Sequence, residues 1–238
     1  MIFGFKKDPP NTTRSSVTLQ KAEEGLERHI VSLKKEKNVD LSQHKARVFV
    51  VLDRSGSMNY LYRNGEVQEV LTRLLPLALK FDDNGELEVY LFNNRCTQMR
   101  AMTLNNYENY VEKEILRKGN GPTGGTSYAP AILKTLDAYT DDCPYPAFGI
   151  FITDGANDDC TATDKAVRES SKYKIFYQFV GIGHERFNYL EKLDDLDGRS
   201  VDNTAFIKVS DFAQLTDEQL YAKLLEQYPA WLRAMHIN

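Results

Sequence analysis

Two five-residue stretches, Val48 to Leu52 and Phe148 to Ile152, carry no polar side chain. A strand with one face in water alternates apolar and polar residues, whereas an unbroken apolar run this short suits a strand covered on both faces. Neither run approaches the ~18 residues that a membrane-spanning helix needs. Segments with helical spacing lie around and between them: Val67 to Leu79, expected to be interrupted at Pro76, then Asn105 to Leu116, Ala129 to Tyr139, Lys165 to Ser171 and Phe187 to Leu193. Leu87 to Phe92, Lys174 to Val180 and Phe206 to Val209 read as further strands. Gln98 to Leu104 reads as a short one, antiparallel to its neighbour because only Asn93-Asn94-Arg95 separates them. Buried strands alternating with helices indicate an α/β chain with an open, mostly parallel, Rossmann-like sheet covered on both faces. Six strands are expected, one of them an antiparallel edge.

The chain before this pattern has a different character. Residues 1 to 16 are polar and contain Pro9-Pro10, which suggests a loosely ordered arm. Thr18 then offers a helix cap, and Leu19, Ala22, Leu26, Ile30 and Leu33 recur at helical spacing up to a basic end at Lys34, Lys35 and Lys37. We therefore divide the chain into an arm and amphipathic helix (1–43) and one α/β domain (44–238). Asp211 to Met235 reads as a last helix broken near Pro229. The charge balance, 34 acidic against 30 basic residues, is not that of a polybasic nucleic-acid binder. The N-terminal residues lack the order of a secretory signal, and Cys96, Cys143 and Cys160 form no Cys-x-x-Cys pair, so reduced thiols in a cytoplasmic protein are expected.

In such sheets ligands bind at the carboxyl ends of the strands, near the point where strand order reverses. The first buried strand runs into Asp53-Arg54-Ser55-Gly56-Ser57 and the second into Thr153-Asp154-Gly155, while Gly124-Gly125-Thr126-Ser127 precedes a helix between them. Two carboxylates and several hydroxyls should thus meet on one edge. An all-oxygen set suits a hard divalent cation, with Mg²⁺ the first choice and Mn²⁺ or Ca²⁺ the alternatives. Gly56 is read as the residue that turns the backbone so that Ser55 and Ser57 face the ion.

These residues resemble the metal-ion-dependent adhesion site (MIDAS) of von Willebrand factor type A (vWA) domains, with its Asp-x-Ser-x-Ser, distant Thr and later Asp. The matching positions are Asp53, Ser55, Ser57, Thr126 and Asp154. The resemblance implies that Ser55, Ser57 and Thr126 hold the ion directly, with Asp53 and Asp154 often acting through water, and that a partner protein supplies an Asp or Glu carboxylate. The Thr18 to Lys37 helix, the His44 to Arg47 lead-in, Val67-Gln68-Glu69 and Leu75 to Leu79, followed by Phe81 to Leu87, look like the bacterial branch found in TerF-type tellurium-resistance and stress-response proteins, related to the copines. Tyr60, Tyr62, Arg95 and Tyr128 are expected on loops that rim the site, as candidate partner contacts. The expectation is a non-catalytic interaction module. The rival readings are a hydrolase using Ser127, Asp154 and His184, in α/β-hydrolase chain order, and a metal-independent scaffold assembled through the Leu19 to Leu33 stripe.

Overall fold

A computed structural model describes residues 18–140, 143–155, 157–183 and 185–237; the expected arm at 1–16 and His184 lie outside the described residues. Six strands form one sheet in the order β3-β2-β1-β4-β5-β6. They are β1 (Arg47–Asp53), β2 (Glu88–Phe92), β3 (Cys96–Gln98), β4 (Ala147–Thr153), β5 (Ile175–Ile182) and β6 (Thr204–Val209). All neighbours run parallel except β2 and β3, whose turn allows only an antiparallel return. This is the expected architecture. β3 starts earlier than the pattern suggests and is shorter; beyond it, the Met99 N–H still donates to Val89 O and Met102 pairs with Leu87.

Side chains alternate between two apolar layers. Val48, Val50, Leu52, Phe148, Ile150 and Ile152 face one layer. It is built by α1 (Leu19–Lys37), α2 (Asn59–Arg63), α3 (Glu66–Phe81), α7 (Asp217–Leu224) and α8 (Tyr228–Ala234). Phe49, Val51, Phe151, Tyr177 and Phe179 face the other layer, built by α4 (Ala129–Tyr139), α5 (Cys160–Ser170) and α6 (Asn188–Asp194). Gly149 opposes Phe49 in register, and the Phe49 ring lies across it: a Cβ there would sit 2.2 Å from the ring. That ring then stacks on Tyr139 with centroids 4.5 Å apart.

Thr18 caps α1 by accepting from the Lys21 N–H at 3.3 Å, and Asn38 closes it in the left-handed conformation (φ 54°). The apolar stripe of α1 is buried against the domain, with α3 and α7 as its neighbours. A single buried cation ties this layer together. Arg73 of α3 is 2 % exposed and donates to Asp217 Oδ1 (2.6 Å), Phe212 O (2.6 Å) and Leu215 O (2.7 Å), while its own carbonyl accepts from the Tyr221 hydroxyl.

Three local expectations need correction. α3 runs straight through Pro76, although proline cannot donate to the carbonyl four residues back. Leu74, Leu75, Leu77 and Ala78 around it are all buried, and their burial outweighs a cost of about 3 kcal/mol. Asn105 to Leu116 is not one α-helix: turns lead to Asn109 at φ 56°, and a π-helical segment follows over Val111–Leu116. The C-terminal region breaks near Pro229 as expected, with Pro229 in the first turn of α8 where its missing N–H costs nothing, but it is three pieces and not two, a 3₁₀ turn (Phe212–Gln214) preceding α7 and α8.

Candidate functional site

The strand order reverses between β1 and β4, so the crevice predicted for ligands opens where Asp53 and Thr153 end their strands. Asp53 is fully buried. Its Oδ1 accepts from the Ser55 backbone N–H and its Oδ2 from the Thr153 hydroxyl, both at 2.7 Å, and its carbonyl accepts from the Tyr62 hydroxyl at 3.0 Å. Ser55 and Ser57 bring their hydroxyls within 3.1 Å of each other. Burial pushes the Asp53 carboxyl up to about 6, opposed by the hydrogen bonds from Ser55 and Thr153 and reinforced by the negative charge of Asp154.

Neighbouring loops are stitched to this set through their backbones. The Gly56 N–H donates to Gly124 O (3.3 Å), Thr123 N–H to Arg54 O (2.7 Å) and Arg54 N–H to Phe92 O (2.7 Å). Asn93 and Asn94, after β2, hold the glycine-rich loop: Asn93 Nδ2 donates to Thr123 O, and Asn94 Oδ1 accepts from Gly125 N–H at 2.9 Å. Gly124 adopts φ +81°, and a Cβ there would stand 3.1 Å from Asn93 Nδ2, so both conformation and space require glycine. Gly56 has no such need. It opens a 3₁₀ turn and a Cβ would meet only Gly124 O at 4.0 Å, which corrects the role expected of it.

After β4, the loop residues Asn157, Asp158 and Asp159 reach across to Thr126, Tyr128 and Ala129. Asp159 accepts from the N–H groups of Tyr128 (3.0 Å) and Ala129 (3.2 Å), capping α4 from outside its own segment. The residues alone read Asn93-Asn94 as a turn, Thr153 as a strand end and Asp158-Asp159 as a solvated loop or an acidic rim; their bonds to distant groups are not legible, because nothing in a linear pattern says which distant partner an Asn, Asp or Thr will find.

Of the expected rim, Tyr60 is 71 % exposed and Arg95 is exposed. Tyr62 (3 %) and Tyr128 (0 %) are not rim residues: Tyr62 braces the Asp53 carbonyl from the α3 side, and Tyr128 packs on Phe92 and Phe151 with its hydroxyl 3.3 Å from Thr153 Oγ1. Each uses its hydroxyl to finish a buried polar network, which loop position alone does not reveal. Ser127 lies in the loop before α4 with no strand leading into it, unlike the strand-to-helix elbow a hydrolase nucleophile occupies. Among the described residues no cluster of three or more His, Cys, Asp or Glu could hold a metal. Any cation site here must rest on hydroxyls. Of the expected ligands, the structure joins the hydroxyls of Ser55 and Ser57 to each other and sets Asp154 near enough to Asp53 for its charge to act on that carboxyl, while Thr126 is held through its backbone.

A family model described as the vWA found in the TerF C terminus matches residues 45–238. The chain is similar to YcbR of Bacillus subtilis (strain 168), an uncharacterized protein, at 40% identity over 197 residues, covering 81% of this chain and 80% of that protein. It shares its fold with BatB from Bacteroides thetaiotaomicron (TM-score 0.56, 16% identity, 78% of this chain and 98% of that one). It also shares it with the manganese-loaded TRAP protein of Plasmodium vivax (TM-score 0.54, 18% identity, 79% of this chain and 74% of that one).

Proposed function

Because the chain belongs to the vWA domains of the kind found at the TerF C terminus, and vWA domains are a common class of protein-interaction module, we propose that it is a metal-ion-dependent one. It takes a divalent cation at Asp53, Ser55, Ser57, Thr126 and Asp154 and, through it, an acidic side chain of a partner protein. The observation that carries this reading is Asp53: a fully buried carboxylate at a strand end, fixed by the Ser55 N–H and the Thr153 hydroxyl, with the paired hydroxyls of Ser55 and Ser57 in the turn that follows it and the Asp154 charge acting on it. Burying a carboxylate beside a second negative charge is costly unless a cation offsets it. The five-residue donor set supplies two negative charges and neutral oxygens, which suits Mg²⁺, with Mn²⁺ and Ca²⁺ as alternatives. The TRAP protein of like fold was solved with manganese.

When bound, the cation would offer a coordination position to an incoming carboxylate. The chain's own residues do the rest. Thr153 and the Ser55 N–H hold both Asp53 oxygens so that the carboxylate cannot swing toward the ligand. Tyr60 on α2 and Arg95 in the turn after β2 stand exposed as the partner contacts we assign. No catalytic role is part of this reading. The process we assign is a tellurium-resistance or stress-response system of the bacterial cytoplasm, supported by the name of the matched family and by the Bacillus relative.

Calorimetric titration of metal-stripped protein with Mg²⁺, Mn²⁺ and Ca²⁺, repeated in the presence of acetate, tests it. The reading expects one saturable site whose heat and affinity change with acetate. Folded protein that takes up none of the ions, with acetate or without, overturns it.

A further inference from the structure

Thr126 is held by one residue from both sides of its peptide unit. The Thr126 N–H donates to Asp158 Oδ2 at 2.9 Å, and the Asp158 N–H donates to Thr126 O at 2.7 Å. The contact joins residues 32 positions apart, on loops that follow different strands. It is also built for: a Cβ on Gly125 would lie 2.6 Å from Asp158 Oδ2, so the carboxylate fits against the backbone only because position 125 is glycine. Asp158 itself is exposed and Thr126 buried. The pair therefore contributes little apolar burial; what it fixes is where Thr126 stands.

We propose that Asp158 is a positioning residue that presents the Thr126 hydroxyl to the cation site without itself binding the ion. This rests on the metal reading above. A hydroxyl is a weak, neutral ligand whose usefulness depends on being already in place, because a loosely held Thr126 would give up backbone freedom on each binding event. Two opposed hydrogen bonds remove that freedom in advance. Residues that orient a ligand rather than coordinate the metal typically change metal affinity by 10–100-fold when removed. The clamp also joins the post-β4 loop, with Asp154 at its start, to the Thr126 loop, so two of the expected ligand-bearing segments are held as one unit.

Three proteins separate the alternatives: wild type, Asp158→Ala and Asp158→Asn. Mn²⁺ titration is read beside amide hydrogen exchange at Thr126 in metal-free protein. Asp158→Ala is expected to weaken Mn²⁺ binding by about tenfold or more and to deprotect the Thr126 amide, with a thermal midpoint close to wild type. Asp158→Asn, whose amide oxygen still accepts from Thr126, is expected to keep the amide protected and to bind Mn²⁺ within about threefold of wild type, since position and not charge is what acts. Asp158→Ala binding like wild type overturns the proposal. So does an equal loss in Asp158→Asn with the Thr126 amide still protected, which would make the charge itself the active feature. Wild type that fails to bind overturns the metal reading and this proposal together, whereas failure of the variants' pattern alone leaves the metal reading standing.

Discussion

β1 is held by different physics along its face and at its exit. On one face of the sheet, the layer of α1, α3, α7 and α8 is apolar and close-packed, pinned by Arg73 and by His44, whose ring lies edge-on to Phe81 and Tyr228 and bonds the Tyr228 hydroxyl at 2.9 Å. Where β1 leaves, the loops contain few apolar contacts and are fastened by Asn, Asp and Thr side chains to backbone groups of other loops. Apolar packing supplies free energy but little directional precision, whereas hydrogen bonds supply direction with a net gain of only ~1 kcal/mol each. The helical layer should therefore govern stability and the loop edge should govern binding, each with little effect on the other.

The largest effect expected is at Arg73. Arg73→Met leaves the Asp217 carboxylate and two carbonyls without their donor, and should cost about 3 kcal/mol in urea unfolding, the low end for a broken buried pair because Asp217 keeps some exposure. A loss under ~1 kcal/mol would mean that the apolar layer needs no such pin. His44 comes next. Burial lowers its imidazole from 6.5 to about 4. The unfolded chain thus binds a proton that the folded one refuses, so stability is full above pH 6.5 and declines as pH falls toward 4, by at most about 3 kcal/mol. In His44→Phe this part of the acid limb should flatten, which unfolding curves at pH 7 and 5 will report.

Gly149→Ala drives a methyl into the Phe49 ring and should cost about 2 kcal/mol by overpacking, with ion binding unchanged. At the loop edge the expected order reverses. Asp53→Asn removes a buried charge while keeping an acceptor for the Ser55 N–H, so metal-free stability should move by less than ~1 kcal/mol while Mn²⁺ binding is lost.

The same division explains what could be read from the residues in order. The apolar runs at Val48 to Leu52 and Phe148 to Ile152 fix two central strands, because a run buried on both faces has few other places to be. Asp53-Arg54-Ser55-Gly56-Ser57 and Thr153-Asp154-Gly155 could be placed together on one sheet edge because each follows such a strand directly. The helix through Pro76 was not legible, since tertiary burial of its leucines decides it. Nor was the burial of Tyr62 and Tyr128, which depends on Asp53 O and Thr153 Oγ1 waiting inside as partners. The stitching of the Thr126 loop by Asn93, Asn94, Asp158 and Asp159 was equally hidden: Asn and Asp favour loops for many reasons, and their long-range partners appear only once the strands are assembled.

The most direct test is to measure Mn²⁺ affinity and urea-unfolding free energy side by side for wild type, Asp53→Asn and Arg73→Met. The account predicts a crossed result: Asp53→Asn loses the ion and keeps its stability, and Arg73→Met keeps wild-type affinity in its folded state and loses about 3 kcal/mol. If Asp53→Asn binds Mn²⁺ as tightly as wild type, or if both variants lose both properties together, the division between a packed layer that stabilises and a stitched edge that binds is wrong.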